Sequence, residues 1–308
     1  MAKTNFSAGD YVTPDFLEAI NGTTAATGHR HTSLNQDGSA PKVNLTSAAE
    51  VTGVLPVANY IPGAHTLLGM NIRRYPDEWD VEVGAGTCAD ASGVARMTLA
   101  SALTKDITDD WAEGAGNGGF PSGLTLTSGT WYKVFVISDG TTVDAGFDTS
   151  VVAANLLADA TGYTYWRYVG SVYYIDGTDY IRPWYAYRNN FWWQSVQQDA
   201  GATALPLDTT VDIDLSVPES PAIATVSFAV TNSTNSWAGQ IWDDVHASYS
   251  SGNGILVQGS AGDLQCMQIR AVTYCYAGLQ QLHARQTSGA LSGAITVRTH
   301  GWYDLGML

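Results

Sequence analysis

Short runs in which apolar and polar residues alternate recur along this chain from about residue 66 to its end. The stretch "GTWYKVFVISDGTTVDAGFDTS" (129–150) shows the pattern well, because two such runs flank Asp139-Gly140, a dipeptide typical of hairpin turns. Alternation at period two places successive side chains on opposite faces of a β-strand. The pattern therefore predicts a mainly β protein built from short strands joined by tight turns.

The charge balance excludes two classes of partner. The chain carries 14 Lys and Arg residues against 29 Asp and Glu residues, for a formal net charge of -15. Nucleic acids and anionic membrane surfaces are bound mainly through basic side chains, so neither is an expected partner. No run approaches the roughly 18 apolar residues of a spanning helix, so no membrane insertion is expected.

The N-terminal residues and the cysteines suggest that the chain is made in a reducing cytoplasm. The N-terminal residues lack the apolar core of a secretory signal. Cys88, Cys266 and Cys275 are odd in number and lack CxxC spacing, which argues against a disulfide framework and favours three reduced, packed thiols.

Three segments differ in pattern. Residues 1–65 hold a predicted short helix (10–20) and an extended, Gly- and Pro-interrupted stretch that is too poor in large side chains to bury a core alone. Residues 66–198 are predicted to form a β domain, with a helical alternative open for residues 97–105. Residues 199–308 hold further period-two runs at a spacing that suggests an antiparallel, jelly-roll-like sandwich.

A histidine pair stands in the first segment, in "GHRHTSLNQDGSAPKV" (28–43). His29 and His31 are one residue apart, so in an extended segment their side chains point the same way. Two imidazoles are too few for a closed metal site. The pair is therefore either part of a solvated polar loop or a fraction of a site that other copies of the chain complete.

Several motifs, taken in order, resemble the tail fibre proteins of tailed bacteriophages. They are a short helix followed by Gly-His-x-His, "DGSAPKV" and "VTGVLPVAN"; "DVEVGAGTCADASGVARMTLASALTKDITDDWAEGAGNGGF" followed by "GTWYKVFVISD"; and "GYTYWRYVGSVYYIDGTDYIRPWYAY". Together they cover residues 1 to about 190, and no single one is specific. The block after residue 200 matches the family only in its strand pattern.

The resemblance implies a homotrimeric virion protein of the phage tail. Residues 1–65 would attach it to other tail or baseplate proteins, residues 66–198 would form a shoulder, and residues 199–308 would be the tip that meets a host cell-surface glycan or outer-membrane receptor. Some members of the family bind one iron on the three-fold axis through His-x-His motifs. The resemblance thus implies that His29 and His31 of three chains supply six imidazole ligands to an iron or another divalent metal.

No enzyme is expected. Adjacent acids such as Asp109-Asp110 and Asp243-Asp244 face opposite ways on a strand, and the long repeat of glycan-cleaving tailspikes is missing. A glycan-cleaving tailspike is thus the less favoured alternative, beside a structural connector that binds no receptor. A cellular lectin is disfavoured by the missing signal peptide.

Two aromatic-rich stretches are candidates for receptor contact. Residues 173–193 contain nine aromatics in 21 residues, which we expect mostly in the core or at a trimer interface. Residues 231–253 combine aromatic and small polar residues, as adaptable recognition loops do. The receptor-binding candidates there are Trp237, Trp242, Asp243, His246 and Tyr249. The alternative for this stretch is a strand with ordinary turns and both tryptophans buried.

Overall fold

The computed structural model describes residues 66–175, 177, 180–231, 237–243, 255–259, 264–273, 280–289 and 294–307. The chain divides into two compact units, Met1–Tyr60 and Ile61–Leu308, and every described residue belongs to the second. The predicted N-terminal helix and extended segment, residues 1–65, lie outside the described residues.

The described part of the first half is made of short strands and one helical turn. Its elements are β1 (Leu67–Gly69), β2 (Ile72–Arg74), β3 (Asp80–Val83), β4 (Gly86–Ala89), β5 (Arg96–Leu99), β6 (Leu103–Asp110), β7 (Asn117–Phe120), β8 (Thr130–Ser138), β9 (Val143–Asp148), α1 (Ala154–Asp159) and β10 (Tyr165–Tyr174). Residues 97–105, for which a helix was the open alternative, lie on β5, β6 and the turn between them.

These strands form three small sheets. Their strand orders are β1-β4-β5, β2-β3-β6-β7 and β10-β8-β9, and β6 and β7 form the one parallel pair among them. The predicted hairpin is present: β8 and β9 pair from Ser138↔Val143 onward. Its turn is closed by Asp139, whose Oδ1 accepts the N–H groups of Thr141 and Thr142 at 2.7 and 2.6 Å, while Gly140 supplies the positive φ of 98°.

The remaining strands are longer and almost all antiparallel. They are β11 (Trp184–Tyr187), β12 (Asn190–Thr203), β13 (Val211–Asp214), β14 (Ala222–Thr231), β15 (Trp237–Asp243), β16 (Ile255–Gly259), β17 (Leu264–Thr273), β18 (Gln281–Gly289) and β19 (Ala294–Asp304). They form a five-stranded sheet, β11-β12-β19-β14-β17, and a four-stranded sheet, β13-β18-β15-β16.

The pairing of the last eight strands is nested. β12 pairs with β19, β13 with β18, β14 with β17, and β15 with β16, each antiparallel. The chain therefore behaves as one long hairpin that is rolled so that its pairs alternate between two sheets. This is the topology of a jelly roll. It confirms the prediction of a mainly β protein with a C-terminal antiparallel sandwich.

Burial follows the period of two in both sheets of the jelly roll. Ala224, Val226 and Phe228 are buried on β14, and Ile241 and Leu282 are buried on the facing sheet. All of them belong to one continuous core that also contains the interior of the three small sheets. Side-chain alternation thus determines which face of each strand is inside.

The boundary predicted between residues 198 and 199 falls inside β12, which runs without a break from Asn190 to Thr203. Tyr174, at the end of β10, is bridged to Ile181 just before β11. The division into a shoulder and a tip stays a prediction, and within Ile61–Leu308 the backbone shows no separate unit for either.

Candidate functional site

The predicted site residues fall into two groups. His29 and His31 of the metal prediction, and His246 and Tyr249 of the receptor prediction, lie outside the described residues. Among the residues that are described, no group of three or more His, Cys, Asp or Glu side chains is placed to hold a metal ion. Trp237 begins β15, where its backbone pairs with Gly259 and Gly289, and Trp242 and Asp243 end that strand.

Trp242 lies in a row of cross-strand neighbours on the four-stranded sheet. Its ring stacks on His283 with 5.6 Å between centroids and 25° between planes. His283 Nδ1 lies 2.8 Å from Oδ1 of Asp212, its partner on β13. Trp242 is only 7% exposed. A receptor role for these residues stays a prediction, and the buried stack favours packing for the Trp242 ring.

A different place in the fold has the shape of a binding site. A cleft of about 530 Å³ opens where β8 and β10 meet β12 and the end of β13. We call it the tryptophan cleft. Its volume lies in the range of pockets that hold small organic ligands. It is lined by Gly129, Trp131, Tyr173, Arg182, Trp193, Gln198, Asp199, Asp214, Leu215, Ser216, Val217, Glu219 and Gln280.

The floor of the tryptophan cleft is aromatic. Trp131 and Tyr173 are direct cross-strand partners on β8 and β10, and their ring centroids lie 5.2 Å apart. Trp193 of β12 packs against Trp131 at 5.7 Å, and the buried Trp302 contacts both tryptophans at 5.4 and 5.1 Å. Trp193 is held further by its Nε1–H, which donates to the carbonyl of Ser216 at 2.9 Å. Trp131 is partly buried and lines the cleft.

Arg182 covers one side of this floor. Its guanidinium carbon lies 4.8 Å from the ring centre of Tyr173 and 5.7 Å from that of Trp193, distances typical of cation–π contacts. Its side chain also donates to Oε1 of Gln197, and its backbone N–H donates to the carbonyl of Tyr173 at 2.9 Å. These contacts hold the guanidinium in one place at the edge of the cleft.

The opposite wall is acidic and rich in amides. Asp199 is partly buried and accepts hydrogen bonds from Thr299 Oγ1 at 2.6 Å and from the N–H and Oγ of Ser216 at 2.9 and 2.7 Å. Burial raises the pKa of Asp199, although the hydrogen bonds from Thr299 and Ser216 act in the opposite direction. Asp214 and Glu219 are exposed on the same wall, and Asp214 accepts a hydrogen bond from Gln281 at 2.8 Å.

The tryptophan cleft therefore combines aromatic surface with fixed donors and acceptors. Arg182 supplies N–H donors, Asp214 and Glu219 supply acceptors, and Gln198 and Gln280 have amides that can do either. Three carboxylates against one guanidinium give it a negative character. Such a wall suits a ligand that carries many hydroxyl groups, because each hydroxyl both donates and accepts.

The residue pattern gave no direct sign of this cleft. Its lining comes from stretches between residue 129 and residue 280 that only the fold brings together. One local signal was present. On β12, period-two alternation separates Phe191 and Trp193, which are buried, from Trp192, which is exposed. The adjacent strand β11 repeats the pattern, with Trp184 inside and Tyr185 and Tyr187 outside.

The three outward rings form a second surface, which we call the aromatic ledge. Tyr185 and Trp192 are cross-strand partners, and Tyr187 lies two residues along the same face. These side chains are 62%, 43% and 72% exposed, respectively. Beside Tyr187 lies a cleft of about 520 Å³, which also contacts β1 and the turn residues Arg188 and Asn189.

Comparison with known proteins adds little. No known protein family matches the chain, and no curated protein does. Among solved structures, the coat protein of Tobacco streak virus is similar over 38% of this chain and 85% of its own, with 10% identity and a TM-score of 0.23. A match at that TM-score supports no conclusion about fold or function. Within the described residues, no helix is long and apolar enough to cross a membrane.

Proposed function

We propose that this chain is a tail fibre protein of a tailed bacteriophage that recognises the host cell surface and catalyses no reaction. The residues that resemble the family span 1 to about 190. The observation that carries the recognition role is the tryptophan cleft, a concave aromatic site where β8 and β10 meet the jelly roll. Jelly rolls occur both in viral structural proteins and in lectins, and this analogy of fold supports the proposal without replacing the site.

In this proposal three copies assemble, and residues 1–65 join the trimer to other tail or baseplate proteins. Residues 66–198 act as the shoulder, and the jelly roll faces a glycan or outer-membrane receptor. The protein is made in the host cytoplasm and becomes part of the virion tail. His29 and His31 of each chain would together offer six imidazole nitrogens, a ligand set that suits one iron per trimer.

Two measurements on the full-length protein test these parts separately. Native mass spectrometry before and after treatment with a strong chelator is expected to give a trimer that loses one iron ion. A stable monomer would contradict the fibre architecture, and a trimer without metal would leave the histidine pair in a polar loop. An excess of the protein is expected to block adsorption of the phage that encodes it; unchanged adsorption would favour a structural connector.

One observation favours a second candidate, cleavage of a glycan. Burial raises the pKa of Asp199, which lies in the same cleft as Asp214 and Glu219, and a pair of carboxylates is the usual machinery of glycoside hydrolysis. Against this, both oxygens of Asp199 are already occupied by hydroxyl or backbone donors. Release of reducing ends from host polysaccharide, abolished in Asp199→Asn, would establish this function; no release supports binding alone.

A further inference from the structure

The side chains that line the tryptophan cleft differ in chemistry, and this difference limits the class of ligand that fits the cleft. One side of the floor is already covered, since Arg182 lies over the rings of Tyr173 and Trp193. Trp131 contacts its three ring neighbours edge-on or tilted, with interplanar angles of 62°, 44° and 84°, and is partly buried, with part of its surface lining the cleft. A flat ligand entering the cleft therefore meets the indole of Trp131.

The acceptors of the cleft are not equivalent. Both carboxylate oxygens of Asp199 already accept hydrogen bonds, from Ser216 and Thr299, so Asp199 supports the lining of the cleft. Asp214 and Glu219 are exposed, so their oxygens can receive hydrogens from a ligand. Their charges, together with that of Asp199, outnumber the guanidinium of Arg182. Electrostatic complementarity then disfavours ligands with carboxylate or phosphate groups.

We propose that the tryptophan cleft binds a hexose unit of a host surface glycan, uncharged or carrying an amino group, with its apolar face on Trp131 and its polar hydrogens donated to Asp214 and Glu219. This proposal rests on the proposed host-recognition function and names the class of ligand. A hexose has a C–H face that packs on an aromatic ring and hydroxyl groups around its rim. The cleft offers the matching arrangement, an indole below and donors and acceptors at the sides.

The position of Arg182 gives the site a pre-formed shape. Its contacts with Tyr173, Trp193 and Gln197 fix the guanidinium before any ligand arrives. Little side-chain freedom is then lost when a hydroxyl group of the ligand accepts a hydrogen bond from it, which favours binding. Arg182 is in this sense a positioning residue for the floor as well as a donor.

Ligand-observed NMR on the full-length protein tests the class of ligand. The probes are methyl glucoside, methyl glucosaminide and methyl glucuronoside, which differ in charge. We expect the first two to saturate with Kd values on the order of 1–10 mM, as suits a single sugar unit. We expect the glucuronoside to bind at least about tenfold more weakly because of the acidic wall. No saturation by either of the first two up to about 100 mM, or tighter binding of the glucuronoside, would overturn the proposal.

Substitutions locate the binding. Glu219→Gln changes an exposed side chain, so the fold is kept, and it is expected to weaken methyl glucosaminide binding about tenfold. Trp131→Leu is expected to abolish binding of both sugars, while Trp131→Phe retains it, which separates loss of stacking from loss of packing. Asp109→Asn removes an equally exposed charge from β6, outside the cleft, and is the matched control. Binding unchanged in both Glu219→Gln and Trp131→Leu would place the ligand elsewhere.

The same preparations in the adsorption assay separate this inference from the function on which it rests. A protein that blocks adsorption but binds neither sugar keeps the host-recognition function and refutes the proposed ligand class. Sugar binding that depends on Glu219 without any block of adsorption supports the ligand class and contradicts host recognition.

Discussion

Two buried carboxylates, Asp144 in the three small sheets and Asp304 in the jelly roll, are stabilised in different ways. Asp144 on β9 lies 3.0 Å from Nζ of Lys105 on β6, and both side chains are only 1% exposed. Asp304, at the end of β19, is fully buried and is held by the hydroxyl groups of Tyr168 and Ser220 and the N–H of Gly306. One carboxylate is matched by an opposite charge, and the other by neutral donors.

This difference bears on how each group responds to pH. Burial lowers the pKa of Lys105, and the charge of Asp144 acts against that shift. Burial raises the pKa of Asp304 to about 6, even though its hydrogen bonds favour the ionised form. The jelly roll thus contains a group that titrates just below neutral pH, next to β10 of the small sheets.

The largest expected effect comes from breaking the charge pair. Lys105→Met leaves Asp144 buried without its cation and removes the hydrogen bond from Nζ to the carbonyl of Ala112. We expect the free energy of unfolding, measured by urea titration, to fall by about 3–5 kcal/mol. The double variant Lys105→Met with Asp144→Leu should recover part of that loss, because no unpaired charge remains. A single variant within about 1 kcal/mol of the parent would show that water reaches Asp144.

The second prediction concerns the pH dependence of the jelly roll. Because the pKa of Asp304 is higher in the folded chain than in the unfolded one, the folded state binds the proton more tightly. The contribution of Asp304 is therefore fully present below about pH 4 and is lost as the pH rises through about 6, a change of about 3 kcal/mol. Urea titrations of the parent and of Asp304→Asn across this range measure it as the difference between the two proteins. Parallel profiles would contradict a raised pKa.

A somewhat smaller effect is expected at the partner of Asp304. The Tyr168 hydroxyl donates to Oδ2 of Asp304 at 2.5 Å, so Tyr168→Phe leaves the ionised carboxylate with one donor fewer. We expect a loss of about 1.5–3 kcal/mol at pH 8 and a smaller loss at pH 5, where Asp304 is protonated. Tyr163→Phe is the control. The Tyr163 hydroxyl donates to Glu113, an exposed carboxylate that accepts a hydrogen bond from water when the hydroxyl is removed. Equal losses in both variants would contradict this account.

The smallest effect is expected at an exposed ion pair, which serves as a comparison for the buried pair of Lys105 and Asp144. Arg73 and Glu82 form a two-pronged ion pair at 2.7 and 3.0 Å on the surface of the sheet that contains β6. Because the Arg73 side chain is exposed to solvent, we expect Arg73→Met to leave the urea midpoint unchanged. A clear shift would mean that burial does not distinguish this pair from Lys105 and Asp144.

The strands could be predicted from the sequence because alternation is a local signal. The hairpin at Asp139-Gly140 and the buried faces of β14 and β19 follow from residues a few positions apart. The partners of a strand do not, since Asn190 pairs with Tyr303 across more than a hundred residues. Alternation tells which side of a strand is inside, and it carries no information about which strand lies next to it.

The same limit explains why the tryptophan cleft could not be predicted from the sequence. The aromatic density of residues 173–193 was visible, but the contact of Trp193 with Trp131 and Ser216 depends on three separate strand pairings. Asp214 and Glu219 line one cleft with Trp131 only because of the fold. Residues 1–65 lie outside the described residues, so the helix, the attachment role and the metal role of His29 and His31 stay predictions.

The long strand β12 also has a consequence for any hybrid made by joining this chain to a related one. A joint between residues 198 and 199 would divide β12 and part Asn190 and Phe191 from Tyr303 and Trp302. A hybrid that keeps these pairs whole has to inherit β11 and β12 together with the strands that follow. Trp131 and Tyr173 would then come from one parent and Trp193 and Glu219 from the other, so the tryptophan cleft of the hybrid would be built from both parents.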